Sequence, residues 1–285
     1  MERKICVAGV QMSCEIGDKE ANVQKALGLI DEAAKKGAQI ILLQELFNTD
    51  YISFTRRDTK VFDYAETIPG PTTNKIAEKA RKHRLFIIAP IFERTAVQGV
   101  YYNSAPLIGP GGEVVGVYHK THIPAVVGEW RGLEKLYFKP GYELPVFETK
   151  IGRLGIAICH DRNFPEVFRV FTLEGAQIIF NPSAIQYRSP FNPSYQTWES
   201  VARTRARDYG VFIVAVNRVG KEDGREHFGC SLIVSPSGEV LAKAGEREDE
   251  VVSATIDLGQ IDAVRSETGF LRDLRPEIYG RITRP

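Results

Sequence analysis

Short, β-branched apolar runs recur along the whole chain, at residues 5–10, 39–43, 85–89, 154–158, 177–180, 211–216, 231–234 and 251–256. Several are apolar at nearly every position, the pattern of strands covered on both faces. Between them the period changes. Val23, Ala26, Leu27, Ile30 and Ala33 form one stripe in residues 22–36, and Lys36-Gly37 supplies a stop, which predicts an amphipathic helix. Residues 72–83, 165–174 and 194–209 predict three more, with Pro71 and Pro165 at the start of two of them. Strands alternating with helices predict an α/β layered fold. Gly111-Gly112 and Pro236-Ser237-Gly238 lie between strand-like runs and predict hairpins, so the sheet is mixed. Segments 109–115 and 235–241 echo one another: an apolar strand, a Pro-Gly turn, Glu, another apolar strand. The echo predicts two similarly built halves. With no linker or low-complexity tract between them, residues 1–285 are expected to form a single domain. The charged run at 246–250 predicts a solvated turn before the last strand.

Composition narrows the function classes. At 285 residues, 43% hydrophobic and 26% charged, the chain can bury a full core without disulfides. Lys and Arg total 37 against 36 Asp and Glu, a formal charge of +1, so there is no basic surplus to neutralise phosphates and no nucleic-acid partner is expected. No apolar run approaches the ~20 residues of a membrane span, so none is expected. The start, Met1-Glu2-Arg3-Lys4 and then Ile5-Cys6-Val7-Ala8-Gly9-Val10, reads as a first strand rather than a signal peptide, because the apolar stretch is brief and breaks at Gln11. Cys6, Cys14, Cys159 and Cys230 form no CxxC pair, which fits a reduced, cytoplasmic protein.

Nucleotide-loop and metal readings find little support. No GxxxxGK[ST] occurs, and Gly109-Pro110-Gly111-Gly112 opens no helix. His119 and His122 flank Lys120, whose charge would repel a cation, so no metal is expected. Cys159 stands apart. It ends an apolar strand and enters a polar strand-to-helix turn, His160-Asp161-Arg162-Asn163-Phe164-Pro165. That edge of an α/β sheet is where ligands bind and where a turn exposes a nucleophile. Glu45 follows the run at 39–43 in the same way, and Lys120 ends another strand. Carboxylate, ammonium and thiol are complementary: the first takes the thiol's proton, and the second stabilises the oxyanion formed when thiolate attacks a carbonyl. The backbone N–H of His160 offers a second oxyanion donor. A Cys–His pair using His160 or His122 is the other mechanism these residues allow.

The sequence resembles the nitrilase (carbon–nitrogen hydrolase) superfamily over nearly its whole length. The resemblance is carried by Leu42-Leu43-Gln44-Glu45-Leu46, His119-Lys120-Thr121-His122-Ile123-Pro124 and Gly155-Ile156-Ala157-Ile158-Cys159-His160-Asp161, supported by Glu134, Asn181-Pro182-Ser183-Ala184, Asn217-Arg218-Val219-Gly220 and Phe228-Gly229-Cys230-Ser231. It implies a four-layer αββα sandwich with two mixed sheets. It implies Cys159 as nucleophile, Glu45 as general base and acid, Lys120 as oxyanion stabiliser and Glu134 as a supporting carboxylate. It also implies no metal or organic cofactor, a small-molecule substrate, and a homodimer or larger homo-oligomer on which the tail from about residue 258 packs against a neighbour. His160, His122 and Asn181 are expected on the substrate side. The segment Asp161-Arg162-Asn163-Phe164-Pro165-Glu166 looks like the N-carbamoyl amino acid amidohydrolases, β-ureidopropionase included, and there Arg162 would grip a substrate carboxylate. The alternative for Arg162 is support of the loop. Asn163 departs from the second arginine of some D-amino acid carbamoylases. The expected activity is cleavage of an N-carbamoyl amino acid to amine, ammonia and carbon dioxide through a thioester. The alternatives are an ω-amidase or aliphatic amidase, an N-carbamoylputrescine amidase, and a binding module that kept the fold.

Overall fold

The computed structural model describes residues 4–125, 132–187 and 194–284. The chain passes twice through a similar order of elements. The first pass is β1 (Lys4–Gln11), α1 (Lys19–Lys35), β2 (Ile40–Leu43), α2 (Pro71–His83), β3 (Phe86–Ile88), β4 (Ile91–Arg94), β5 (Tyr101–Ile108) and β6 (Val114–His119). The second is β7 (Phe147–Thr149), β8 (Gly152–Ile156), α3 (Pro165–Leu173), β9 (Ile178–Pro182), α4 (Ser194–Tyr209) and β10 (Phe212–Val216). It continues through a small hairpin, β11 (Val219–Glu222) with β12 (Arg225–Phe228), to β13 (Leu232–Val234) and β14 (Val240–Lys243). β15 (Glu250–Asp257) and α5 (Gly259–Thr268) follow.

One sheet has the order β15-β1-β2-β3-β5-β4 with β6 on β5, and the other has β14-β13-β10-β9-β8-β7. β1, β2 and β3 are parallel, as are β8, β9 and β10. Parallel neighbours need long crossovers, and α1 to α4 supply them. The two predicted turns close the antiparallel β5–β6 and β13–β14 hairpins, one in each sheet. The echo in the sequence is therefore the same hairpin built twice.

Side-chain alternation makes the layers. Ala8, Val10, Ile41 and Leu43 share one core with Val23, Ala26 and Ile30 of α1 and Ile76 and Ala80 of α2. Val7, Ile40 and Leu42 join a second core with Ile156, Phe180 and Val214 of the other sheet, together with Phe168 and Phe171 of α3 and Trp198 of α4. The result is helices, sheet, sheet, helices. At Gly9 a Cβ would lie 2.4 Å from Val216 Cγ2, so β1 and β10 approach there too closely for any side chain.

Three local details differ from the periodicity. α1 begins earlier than its apolar stripe, because the Asp18 carboxylate caps it, accepting from Ala21 N at 2.9 Å. β8 ends at Ile156, short of the full apolar run. Ala157 N still donates to Phe180 O, and then Ile158 N turns to Asp161 Oδ2 at 2.9 Å. The charged run is not simply solvated: Glu246 accepts from the phenols of Tyr187 and Tyr195, and Asp249 accepts from Ser13 N. Beyond β15, Ile261 of α5 is buried while Phe270, Ile278 and Ile282 are exposed on this chain. Among the described residues no helix is long and apolar enough to cross a membrane.

Candidate active site

The carboxyl ends of the two parallel triplets converge. β2 is buried at every residue and delivers Glu45, whose side chain is also fully buried. An ionised carboxylate is tolerated there only with partners. Glu45 Oε1 accepts from Lys120 Nζ at 2.8 Å and Asn103 Nδ2 at 2.8 Å, and Oε2 accepts from Ala184 N at 3.0 Å. Lys120 follows β6 directly, and its backbone N donates to Asn103 O of β5. Its Nζ also donates to Glu134 Oε2 at 2.6 Å. Glu134 opens a short 3-10 turn, Glu134–Leu136, and its Oε1 accepts from the Tyr51 hydroxyl.

One cation thus faces two carboxylates in a fully buried site. Burial alone would lower the Lys120 pKa, but Glu134 first, then Glu45, hold it well above the usual lysine range. Glu134 moves the opposite way from an ordinary paired acid. Burial and the nearby Glu45 charge outweigh Lys120 and push its carboxyl up. The Tyr51 phenol is pushed far up by burial and by Glu134.

Cys159 stands at the start of a 3-10 turn, Cys159–Asn163, with φ +45°, a left-handed backbone rare for a residue with a side chain. Its thiol is buried. Burial first, and Glu45 next, raise its pKa strongly, while Lys120 and the Ala184 N–H act to lower it. Asp161, two residues on, ties this turn to the Lys120 loop. Its buried carboxylate accepts from Ile158 N, the Tyr118 hydroxyl, Thr121 Oγ1 and His122 N, all within 2.7–2.9 Å.

Each of the four residues expected on the substrate side has partners within the chain. Arg162 is buried and donates through Nη2 to Thr197 O at 3.1 Å and Trp198 O at 3.3 Å, with its guanidinium 5.0 Å from the Trp198 ring centroid. These contacts tie the turn after Cys159 to α4. Asn181 is buried and donates Nδ2 to Ala157 O, linking β9 to the end of β8. His122 stacks on Phe164 at 3.7 Å, with Nδ1 beside Asp161 Oδ1. The His160 ring contacts Asn163 and the edge of Phe164. Both histidines line a cleft of about 640 Å³ with Lys135, Phe138 and Phe164, and Cys159, Glu45, Lys120 and Glu134 are not among its lining residues. Glu45, Lys120, Glu134 and Cys159 are brought together, His122 and His160 line the cleft, and Arg162 and Asn181 donate to backbone carbonyls.

Sequence reasoning missed Tyr51, Asn103, Ala184 N–H and Asp161. Tyr51 and Asn103 sit in runs with no distinctive spacing. Asp161 lies two residues after Cys159, and its position inside the polar turn was the available signal. Among the described residues no group of three or more His, Cys, Asp or Glu is placed to hold a metal ion.

The carbon-nitrogen hydrolase family model matches residues 6–266. The chain is 37% identical to the N-carbamoylputrescine amidase of Solanum lycopersicum, over 97% of this chain and 94% of that one. It is 36% identical to the citrullinase of Francisella tularensis, over 98% of each chain. The crystal structure of a carbon-nitrogen hydrolase from Helicobacter pylori G27 superposes with a TM-score of 0.91 at 31% identity, covering 99% of both chains.

Proposed function

The chain belongs to the carbon–nitrogen hydrolase family and hydrolyses carbon–nitrogen bonds other than peptide bonds, and within that family we propose that it removes the carbamoyl group from a ureido-bearing amine, R–NH–CO–NH2. The observation that carries the chemistry is the buried Lys120 ammonium bridging Glu45 and Glu134 beside the Cys159 thiol.

In this reading Glu45 takes the Cys159 proton and the thiolate attacks the carbamoyl carbon. A thiolate is the competent nucleophile, and a thiol raised by burial stays protonated until a base is in reach. The developing oxyanion meets Lys120 and the His160 backbone N–H. An ammonium has three donors, and Glu45 and Glu134 accept two, which leaves the third for that oxygen. Glu45 then protonates the amine nitrogen as the C–N bond breaks, leaving a carbamoyl thioester on Cys159. Water that has lost a proton to Glu45 attacks the thioester. The Cys159 sulfur departs with the proton Glu45 holds, which restores thiol and carboxylate, and the carbamic acid released falls to ammonia and carbon dioxide.

N-carbamoylputrescine is the first substrate to test. It is the substrate in the name of a relative matching 97% of the chain. A guanidinium aimed at the substrate would repel a cationic one, and the Arg162 guanidinium donates to α4 carbonyls. The second reading, an N-carbamoyl amino acid, is favoured by the citrullinase relative. Ammonia release from N-carbamoylputrescine, citrulline, N-carbamoyl-β-alanine, N-carbamoyl α-amino acids of both hands, glutamine and simple amides tests both. Ureido substrates are expected to turn over fastest. If glutamine or a simple amide outran all of them, the carbamoyl reading would fail and an amidase would remain.

A further inference from the structure

A second buried ion pair lies beside the candidate site and belongs to none of the roles above. Arg218 occupies the link between β10 and β11, fully buried. Its Nη2 donates to Glu45 O at 3.0 Å and Leu46 O at 2.9 Å, and its Nη1 donates to Thr49 O at 2.9 Å and Glu222 Oε1 at 2.5 Å. Glu222 Oε2 accepts from Tyr51 N at 2.7 Å. The pair therefore holds the backbone of residues 45, 46, 49 and 51. That segment carries Glu45 at one end and Tyr51, the partner of Glu134, at the other.

Two features set this apart from an ordinary buried salt bridge. First, three of the four acceptors of Arg218 are backbone carbonyls of one segment, a use that suits the rigid planar fork of guanidinium. Leu46 within it has φ +50°, a conformation that persists only where the surroundings impose it. Second, the bonds run between layers. Glu45 follows β2 of one sheet, whereas Arg218 follows β10 of the other sheet, which also carries Cys159.

We infer that Arg218, locked by Glu222, is a positioning residue that sets Glu45 against Cys159 across the two sheets. This rests on Glu45 being the base. Such a residue acts on proton transfer and leaves substrate affinity nearly alone.

The test uses full-length Arg218→Lys, Arg218→Met and Glu45→Gln proteins, with circular dichroism and a thermal melt reporting the folded fraction. Rates are taken on the best substrate of the panel, and alkylation of Cys159 by iodoacetamide is followed against pH. For folded Arg218→Lys, kcat is expected to fall about 10- to 100-fold, the scale on which a remote change misplaces a reacting group, with KM within about twofold as uniform binding is untouched. Alkylation should slow at neutral pH and recover at high pH, where the thiol ionises without help. Arg218→Lys should retain more activity than Arg218→Met. If Arg218→Lys yields no folded protein, Glu222→Gln takes its place under the same criteria. A folded variant with unchanged kcat and alkylation profile overturns the inference, as does a loss explained wholly by the unfolded fraction. An active Glu45→Gln protein instead overturns the reading of Glu45 as base, whatever Arg218 does.

Discussion

Lys120 and Arg218 are both fully buried cations bonded to Glu45, one to its carboxylate and one to its backbone carbonyl, and they differ in balance. Lys120 faces two carboxylates, a phenol donating to one of them, and a nearby thiol. Arg218 bonds one carboxylate and three backbone carbonyls, with the Asp50 charge also acting on it. The consequences run in opposite directions. Burial would raise both partner acids, and around Lys120 it does so, because Glu45 adds to it at Glu134. Around Arg218 the guanidinium, seconded by His227, wins, and Glu222 is held far below the usual carboxylate range. Each cluster also influences a buried thiol. Cys14, on the Arg218 side, is pushed up to about 12, mainly by burial, while donating to Phe47 O at 3.3 Å. A buried cluster with surplus acid keeps a proton within reach of several groups, as chemistry requires. A balanced one locks backbone in place.

The sharpest break of this comparison is between the two thiols. Cys159→Ala is expected to reduce turnover to background while costing only about 1 kcal/mol of stability, the scale of one small buried group. Cys14→Ala should lose no more than a few-fold in rate. Turnover assays with denaturant titrations check both, and a working Cys159→Ala enzyme would remove the thioester route.

Next in size are the two acids. Glu222→Gln leaves Arg218 buried without its counter-charge, and loss of one partner of a buried pair costs about 3–5 kcal/mol. Glu134→Gln leaves Lys120 still paired with Glu45, so a stability change under about 1 kcal/mol is expected beside a marked loss of kcat. The sign with pH also differs. A carboxyl raised by folding loses its contribution as pH rises through the raised value, so the Glu134→Gln protein should compare most favourably with wild type at higher pH. Urea midpoints across pH measure this, and equal losses in the two variants would erase the distinction.

Arg162 tests whether a third buried cation sides with chemistry or scaffold. Arg162→Met should cost roughly 1.5–3 kcal/mol, the range for hydrogen bonds made by a charged group. It should change KM equally for N-carbamoyl-β-alanine and for its neutral amide. A KM rise confined to the carboxylate substrate would return Arg162 to the binding role.

The smallest effect lies at the surface. Burial nudges the Asp31 carboxyl up, but hydrogen bonds from Lys79 and His83 outweigh it and hold the group at about 2. Partly exposed surface pairs of this kind contribute about 0–1 kcal/mol. Asp31→Asn should lose that much at neutral pH. Because the folded value is depressed, the contribution exists above the ordinary aspartate range and fades as pH falls towards 2, so the two proteins should converge in acid urea titrations. A gap that widened in acid would show that the sign is wrong.

Local pattern was enough for the strand–helix alternation, the two hairpins, and the arrival of Glu45, Lys120 and Cys159 at strand ends. Period, turn chemistry and residue type are properties of short segments, and a short segment carries them in its own order. The pairings were not legible. Tyr51 meets Glu134 across 83 positions, and Arg218 meets Glu45 O across 173. Arg162 shows the limit most plainly. Its place three residues after Cys159 suggested a ligand, and nothing in that local order showed that α4, a later segment, would present carbonyls to it. Whether a buried group titrates up or down depends on the sum of charges gathered from distant segments and on the water they exclude. That sum exists only once the two sheets have packed, so the tertiary structure alone decided that Glu134 titrates high beside Lys120 and Glu222 low beside Arg218.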